Sequence, residues 1–209
     1  THKNGGPLYW VDIMYIEMDA PPGKACKTLY NDKILCNGQP IALVVAETFE
    51  AARYAASLLK FKYETEPHQT DLRNNLGKSR DPKKGIATLL KPPPPKPTGD
   101  FDKAFSEAAF TYKGEFEHGA EHHNPMELFA TTTIFEDKGK LTVYDKTQGT
   151  NNCQVYIANV FGLHYKDVRV ISPYVGGAFG SGLRPQYQLF LCVMASLKLK
   201  RNVRVTMDR

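Results

Sequence analysis

The chain has 209 residues, enough for one large domain or two smaller ones. Its composition, 42% apolar and 23% charged, is that of an ordinary globular protein and excludes a disordered or fibrous one. The net charge of +5 comes from lysines scattered along the chain, and no run of about 18 apolar residues exists, so neither a nucleic-acid partner nor a membrane span is expected.

The opening, Thr1-His2-Lys3-Asn4-Gly5-Gly6, lacks a methionine. That suggests a start inside a longer protein or after processing, and leaves targeting and compartment open. Residues 9–64 read as a small α/β unit with strands expected at Trp10–Met18, Ile41–Ala46 and Phe61–Glu64. Gly38-Gln39-Pro40 supplies a turn before the fully apolar Ile41–Ala46, a pattern usual for a strand buried on both faces. Thr48 is placed to cap a helix in which Phe49, Ala52, Ala56 and Leu59 share one side. From Asn74 to Gly99 the periodicity disappears. There Lys91-Pro92-Pro93-Pro94-Pro95-Lys96-Pro97 reads as extended polyproline II, a semi-rigid spacer between two blocks. The expected division is therefore residues 1–75, a linker over 76–99, and a second block over 100–209.

That second block opens on Asp100, a helix cap, followed by Ala104, Phe105 and Ala108 on one face. Strands are expected at Thr111–Glu117, Thr131–Phe135, Leu141–Tyr144, Val168–Ile171 and Val203–Met207. Asn151 is placed to cap a helix with a stripe of Cys153, Tyr156, Ile157, Val160 and Phe161, and Gly162 stands where a helix-ending glycine belongs. A last helix carries Tyr187, Phe190, Leu191, Met194 and Ala195 as one buried stripe. The four cysteines, Cys26, Cys36, Cys153 and Cys192, form no Cys-x-x-Cys pair, which argues against a zinc knuckle or an iron–sulfur cluster within this chain.

Between the strand Val168–Ile171 and the last helix runs Pro173-Tyr174-Val175-Gly176-Gly177-Ala178-Phe179-Gly180-Ser181-Gly182-Leu183-Arg184-Pro185. Such a loop, between a strand and a helix, exposes backbone N–H groups and suits an anionic cofactor. It lacks the Gly-Lys-Ser/Thr ending of a P-loop and is not a clean Gly-x-Gly-x-x-Gly fingerprint. A turn that needs glycine only for its backbone angles is the plain alternative. Phe179 is unusual there, because a ring inside a glycine run commonly lies against something flat.

His118-Gly119-Ala120-Glu121-His122 matches the His-x-x-Glu-His pattern of inverted zinc peptidases, with His123 alongside. That chemistry needs a helix. The preceding alternation, Gly119 and Asn124-Pro125 all argue against one, and a polar strand end is the expectation.

Several separated segments together resemble one family, the molybdenum hydroxylases that include xanthine dehydrogenase and aldehyde oxidase. Residues Val168–Gly180 resemble the segment carrying the Gly-Gly-x-Phe-Gly loop under the molybdenum cofactor. His123-Asn124-Pro125-Met126-Glu127 resembles the His-x-x-Met-Glu-Pro motif. Thr147-Gln148-Gly149-Thr150 resembles the segment whose glutamine approaches the metal's apical oxygen. Residues Gly38–Ala46 are similar to the α/β hammerhead domain, and Gly99-Asp100-Phe101 to the start of the cofactor domain. Leu128 replaces the proline of Met-Glu-Pro, and Ala178 the middle glycine of the commoner loop.

The resemblance implies an α+β chain, a hammerhead domain followed by the first part of a molybdopterin-binding domain, forming the front part of a molybdenum-cofactor subunit. Its implied activity is hydroxylation of aldehydes or N-heterocycles with water as the oxygen source. The implied cofactor is molybdenum-molybdopterin, in the cytosine dinucleotide form if the source is bacterial. Gln148, Gly177, Ala178, Phe179 and Gly180 are implied to contact it, with Gln148 and Phe179 nearest the metal. The base, a glutamate, is expected beyond Arg209, so no catalytic residue is assigned within the chain. Leu183 stands where xanthine dehydrogenases have a purine-binding glutamate, which favours aldehydes over purines, and Arg184 becomes a candidate at the substrate channel. The remainder of the large subunit, iron–sulfur and FAD subunits or domains, and a small-molecule substrate are the implied partners. A non-catalytic phosphate- or nucleotide-binding module is the competing reading.

Overall fold

A computed structural model describes Leu29, residues 32–79 and residues 96–209. The strand expected at Trp10–Met18 and most of the proline run lie outside the described residues. Two compact units emerge, one from residues up to Lys60 together with His122–Arg209, the other from Phe61–Glu121.

In the first unit, α1 spans Phe49–Ser57, and the Thr48 hydroxyl accepts from the Ala51 N–H at 3.1 Å, as the cap reading requires. The chief element is a four-stranded sheet of β1 (Ala130–Phe135), β2 (Leu141–Asp145), β3 (Val168–Ile171) and β4 (Val203–Thr206), in the order β3-β2-β1-β4. β1 runs antiparallel to both β2 and β4, whereas β2 and β3 are parallel. A parallel pair needs a crossover, and α3 (Thr150–Phe161) supplies it. Its left-handed C-cap is Gly162 at φ 64°, as expected, but the helix begins on Gly149 rather than Asn151. The two-residue shift arises because Gly149 leaves the Thr147 turn already aligned, its N–H donating to Thr147 Oγ1 at 3.1 Å.

α4 (Tyr187–Leu199) packs on β1 and β4, and α3 packs on β3, so one sheet face is covered. The core joins Leu141, Val143 and Val168 from the sheet to Cys153 and Ile157 of α3 and Leu189 and Val193 of α4. Truncating such fully buried residues to alanine typically costs about 2–5 kcal/mol. α4 departs from the one-stripe expectation: Gln188, Leu189, Phe190, Leu191, Cys192, Val193, Ala195 and Ser196 are all buried. The helix is packed on several sides, with the sheet under Leu189 and Val193 while Phe190 and Leu191 meet Val160 and Leu43. Cys192 is fully buried, as anticipated, and its thiol sits 3.1 Å from the Val203 carbonyl oxygen.

In the second unit, α2 covers Phe101–Glu107, capped by Asp100 through the Lys103 N–H at 3.1 Å. A short 3-10 helix spans Arg73–Lys78. Three expected strands are corrected. Ile41–Ala46, Phe61–Glu64 and Thr111–Glu117 have no sheet pairing among the described residues. Their β-branched and aromatic content favours extended backbone, but a strand also needs an edge to pair with. Tyr112 and Phe116, either side of Gly114, are exposed.

The α+β class stands, with one parallel β-α-β element inside an otherwise antiparallel sheet. That element brings two loops together. Tyr144 of β2 pairs with Ile171 of β3, so residues 146–149 and 172–183 leave the sheet side by side from the carboxyl ends of parallel strands, where open α/β sheets generally place ligands.

Candidate functional site

The glycine loop is shaped by positive backbone angles: φ is +76° at Gly176, +50° at Ala178, +50° at Phe179 and +94° at Gly180. Ala178 and Phe179 are not glycine, and holding an L-residue there costs roughly 1–2 kcal/mol each. Something must hold them, and the holder is Glu127. Its Oε1 accepts from the Ala178 N–H at 2.8 Å and its Oε2 from the Gly177 N–H at 3.2 Å. Its own backbone N–H first, then, against an opposing desolvation, the Ala178 N–H, Lys146 and the Gly177 N–H bring its pKa down to about 2. Gly176 is glycine for a second reason, since a Cβ there would stand 2.3 Å from Glu127 Cδ.

This revises the expectation that the loop's amides are open to a ligand. Gly177 and Ala178 are taken by the protein's own carboxylate, the Phe179 N–H donates to the Gly177 carbonyl, and the Ser181 N–H to the Ala178 carbonyl at 2.9 Å. The Gly180 N–H has no protein acceptor among the described residues. The anion on this loop is Glu127.

Gln148 approaches the same loop from the end of β2. Its backbone N–H donates to the Gly182 carbonyl at 2.9 Å, and its side-chain Oε1 accepts from the Gly182 N–H at 3.1 Å. With the oxygen so engaged, the amide presents its Nε2 donor on an exposed face, without a partner among the described residues. Gly182 is buried against this amide, and a Cβ on it would lie 3.3 Å from Gln148 Oε1. Phe179 leaves 70% of its surface open, its ring otherwise lying over Gly177, where a Cβ would come within 3.2 Å of it. Leu183 and Arg184 come next on the exposed side, Leu183 being 50% exposed. Gln148, Gly177, Ala178, Phe179 and Gly180 are therefore brought together, with Leu183 and Arg184 at the loop's exit. His123 also reaches it, its Nε2 3.8 Å from where a Gly180 Cβ would stand.

Beneath the loop lies a buried polar layer that the sequence alone does not disclose. Asp145, at the end of β2, accepts from the Thr131 hydroxyl and from Gln188 Nε2 at 3.3 Å, and burial raises its pKa. Cys153 Sγ lies 3.7 Å from Asp145 Oδ2 and 3.3 Å from Thr147 Oγ1. Burial first, then the Asp145 charge, push the thiol up to about 12, so it remains a neutral donor rather than a nucleophile. Thr147 Oγ1 donates to the Gly182 carbonyl at 3.2 Å. The Thr147-Gln148 pair thus grips Gly182 through a side chain on each residue.

The polar strand end expected at His118–His123 is corrected, since that segment pairs with no strand among the described residues. That segment forms no helix, and no group of three His, Cys, Asp or Glu side chains fit to hold a metal occurs among the described residues.

Residues 87–209 match the family model of the molybdopterin cofactor-binding domain, and residues 12–67 match the a/b hammerhead domain of aldehyde oxidase and xanthine dehydrogenase. The chain belongs to this family of molybdenum hydroxylases. Among curated relatives, the molybdenum-binding subunit PaoC of the Escherichia coli (strain K12) aldehyde oxidoreductase is 36% identical over 173 residues, 82% of this chain and 22% of that protein. An indole-3-acetaldehyde oxidase of Zea mays is 32% identical over 82% of this chain and 13% of its own length. A xanthine dehydrogenase of Dictyostelium discoideum is 32% identical over 95% and 15% respectively. The chain therefore spans less than a quarter of the relatives it matches. Quinoline 2-oxidoreductase from Pseudomonas putida 86 shares the fold at a TM-score of 0.63 and 23% identity, over 78% of this chain and 21% of that one. A Cu,Mo-containing CO dehydrogenase does so at 0.61 and 22%, over 77% and 22%. The family resemblance of the loop and Thr-Gln segments thus coincides with two loops that meet in space.

The residues whose roles sequence reasoning misses are Glu127, Lys146, Asp145 and Gln188. Glu127 is visible in the sequence only as part of a motif. It is 50 residues from the amides it binds, and no local pattern reports such a contact.

Proposed function

We propose that this chain is the front part of a molybdenum-cofactor subunit in an oxidoreductase that hydroxylates aldehydes or N-heterocycles with oxygen from water, preferring aldehydes to purines. The orientation of Gln148 carries the reading. An amide whose oxygen is spent on Gly182 offers an N–H donor, and an N–H donor is what an oxo or phosphate oxygen accepts. The cofactor, when bound, supplies the centre that takes two electrons from the substrate carbon.

This chain's residues do the rest of the positioning. Gln148 Nε2 and the Gly180 N–H supply donors, Phe179 supplies a flat apolar face, and Leu183 with Arg184 borders the substrate's approach. The catalytic base comes from elsewhere in the whole protein, as do the iron–sulfur and FAD carriers. Residues 1–75 and 100–209 act as hammerhead and cofactor-binding domains joined by the 76–99 linker. The binding-module alternative loses support, because the Gly177 and Ala178 amides that it needs for phosphate are occupied.

Leu183 offers a substrate no hydrogen bond, so a purine's polar edge gains nothing from it. The full-length enzyme is expected to show a kcat/KM for benzaldehyde at least about 100-fold above that for xanthine. Steady-state kinetics on both substrates checks this, and comparable values would refute the aldehyde preference.

A further inference from the structure

We propose that Glu127 and Lys146 form a charged latch that sets the left-handed course of the glycine loop, and so the direction in which Phe179 and Gly180 face. The inference rests on the loop being the cofactor-facing element, as proposed above. It concerns residues that act through the loop rather than on the substrate.

Three segments meet in this latch. Glu127 precedes β1, Lys146 follows β2, and the loop follows β3. The carboxylate binds two successive amides, one with each oxygen, which forces Gly177 and Ala178 to turn their N–H groups to one side. That turn carries the chain into the positive φ of Ala178 and Phe179. On its other side, Glu127 Oε1 stands 3.1 Å from Lys146 Nζ. Lys146 is only 8% exposed, and its ammonium lies 3.8 Å from the Phe129 ring centroid. Its charge faces the Glu127 carboxylate and the Phe129 ring directly, with the Asp145 carboxylate acting on it from the neighbouring position. A buried cation in direct contact with a carboxylate holds that carboxylate in place, because removing either partner leaves the other without its ion pair. Lys146 also stands two residues before Gln148, so the latch ties both halves of the site to one ion pair.

The charge is the operative feature, and this separates the latch from simple packing. Glu127→Gln keeps the shape but turns an NH2 group toward one of the two backbone donors and takes away the carboxylate that Lys146 contacts. Lys146→Met leaves the carboxylate on both amides. The test uses the full-length protein. Hydrogen–deuterium exchange of the peptide covering residues 173–183 is read beside kcat, KM and molybdenum content for Glu127→Gln, Lys146→Met and the double variant. In Glu127→Gln the loop peptide is expected to exchange about tenfold faster, the change that loss of about one hydrogen bond brings, while residues 187–199 are unaffected. Its kcat is expected to fall roughly 100-fold with KM within about threefold, as misplacement of a reacting group does. Lys146→Met, which leaves the carboxylate on its amides but no longer locked, is expected to speed loop exchange by less, about threefold, and the double variant to be less damaged than the sum of the two singles. If Glu127→Gln does not accumulate, Glu127→Ala with Lys146→Met, which strands no charge, is read in the same way.

Wild-type exchange in the loop of the Glu127 variants would overturn the latch. So would a double variant as damaged as the sum of the singles. Because exchange is read without turnover, fast loop exchange in a protein that oxidises no aldehyde would uphold the latch while refuting the proposed activity.

Discussion

Gly176→Ala in the full-length enzyme is expected to lower turnover by roughly 100-fold or more, the scale of loss that about 1 Å of misplacement brings. Two independent costs meet at this residue. Its φ of +76° is one that an L-residue holds at roughly 1–2 kcal/mol. The added methyl would also lie 2.3 Å from Glu127 Cδ and 2.6 Å from Oε2, well inside contact distance. Glu127 has no cheap retreat, since moving off the methyl means releasing the Gly177 and Ala178 amides and the Lys146 ammonium. The loop therefore loses its anchor along with its turn. Gly162→Ala is the control. Its φ is +64° but nothing lies within 4 Å of the added methyl, so it incurs the backbone cost alone, about 1 kcal/mol, and should leave turnover intact. Turnover, molybdenum content and melting temperature of the two variants, taken together, separate anchoring from backbone strain.

Gln148→Ala is expected to lower activity or metal occupancy by about 10–100-fold, the usual cost of a lost outer contact to a metal centre, while the fold holds. The fold should hold because the main-chain bond from Gln148 N–H to the Gly182 carbonyl survives, as does the Thr147 hydroxyl bond to the same oxygen. The losses are the Oε1 bond to the Gly182 N–H, about 1 kcal/mol, and the outward Nε2 donor. A small drop in melting temperature with a large drop in turnover is the expected pattern. Equal, small losses in both would make Gln148 a loop brace.

Much of this fold is legible because its signals are local. Thr48 and Asp100 cap helices through amides three residues on, and Gly162 ends one by its own backbone angle. β3 and the glycine loop are likewise written in consecutive residues. The strands expected at Ile41–Ala46, Phe61–Glu64 and Thr111–Glu117 show the opposite case. Composition reports a taste for extended backbone but not whether a partner edge is present. The stripe expected on α4 is too narrow because periodicity says which side is apolar, not how many sides are covered.

The site divides along the same line. Gln148 and the glycine loop are readable as motifs, yet the direction of the Gln148 amide depends on Gly182, 34 residues away. Glu127's hold on the loop and the Asp145 layer beneath it depend on pairings across 50 and 14 residues. Those are set by strand register, which no short pattern contains. The motif therefore points to the loop but misassigns its amides, two of which serve the protein's own carboxylate.

The central claim is that the surface made by Gln148, Phe179 and Gly180 faces a molybdenum cofactor, and elemental analysis of the purified full-length protein tests it most directly. The account predicts about one molybdenum per chain accompanied by cofactor phosphorus, with molybdenum reduced in Gly176→Ala and retained in Gly162→Ala. Phosphorus without molybdenum in the wild-type protein, prepared where related enzymes load fully, would contradict it.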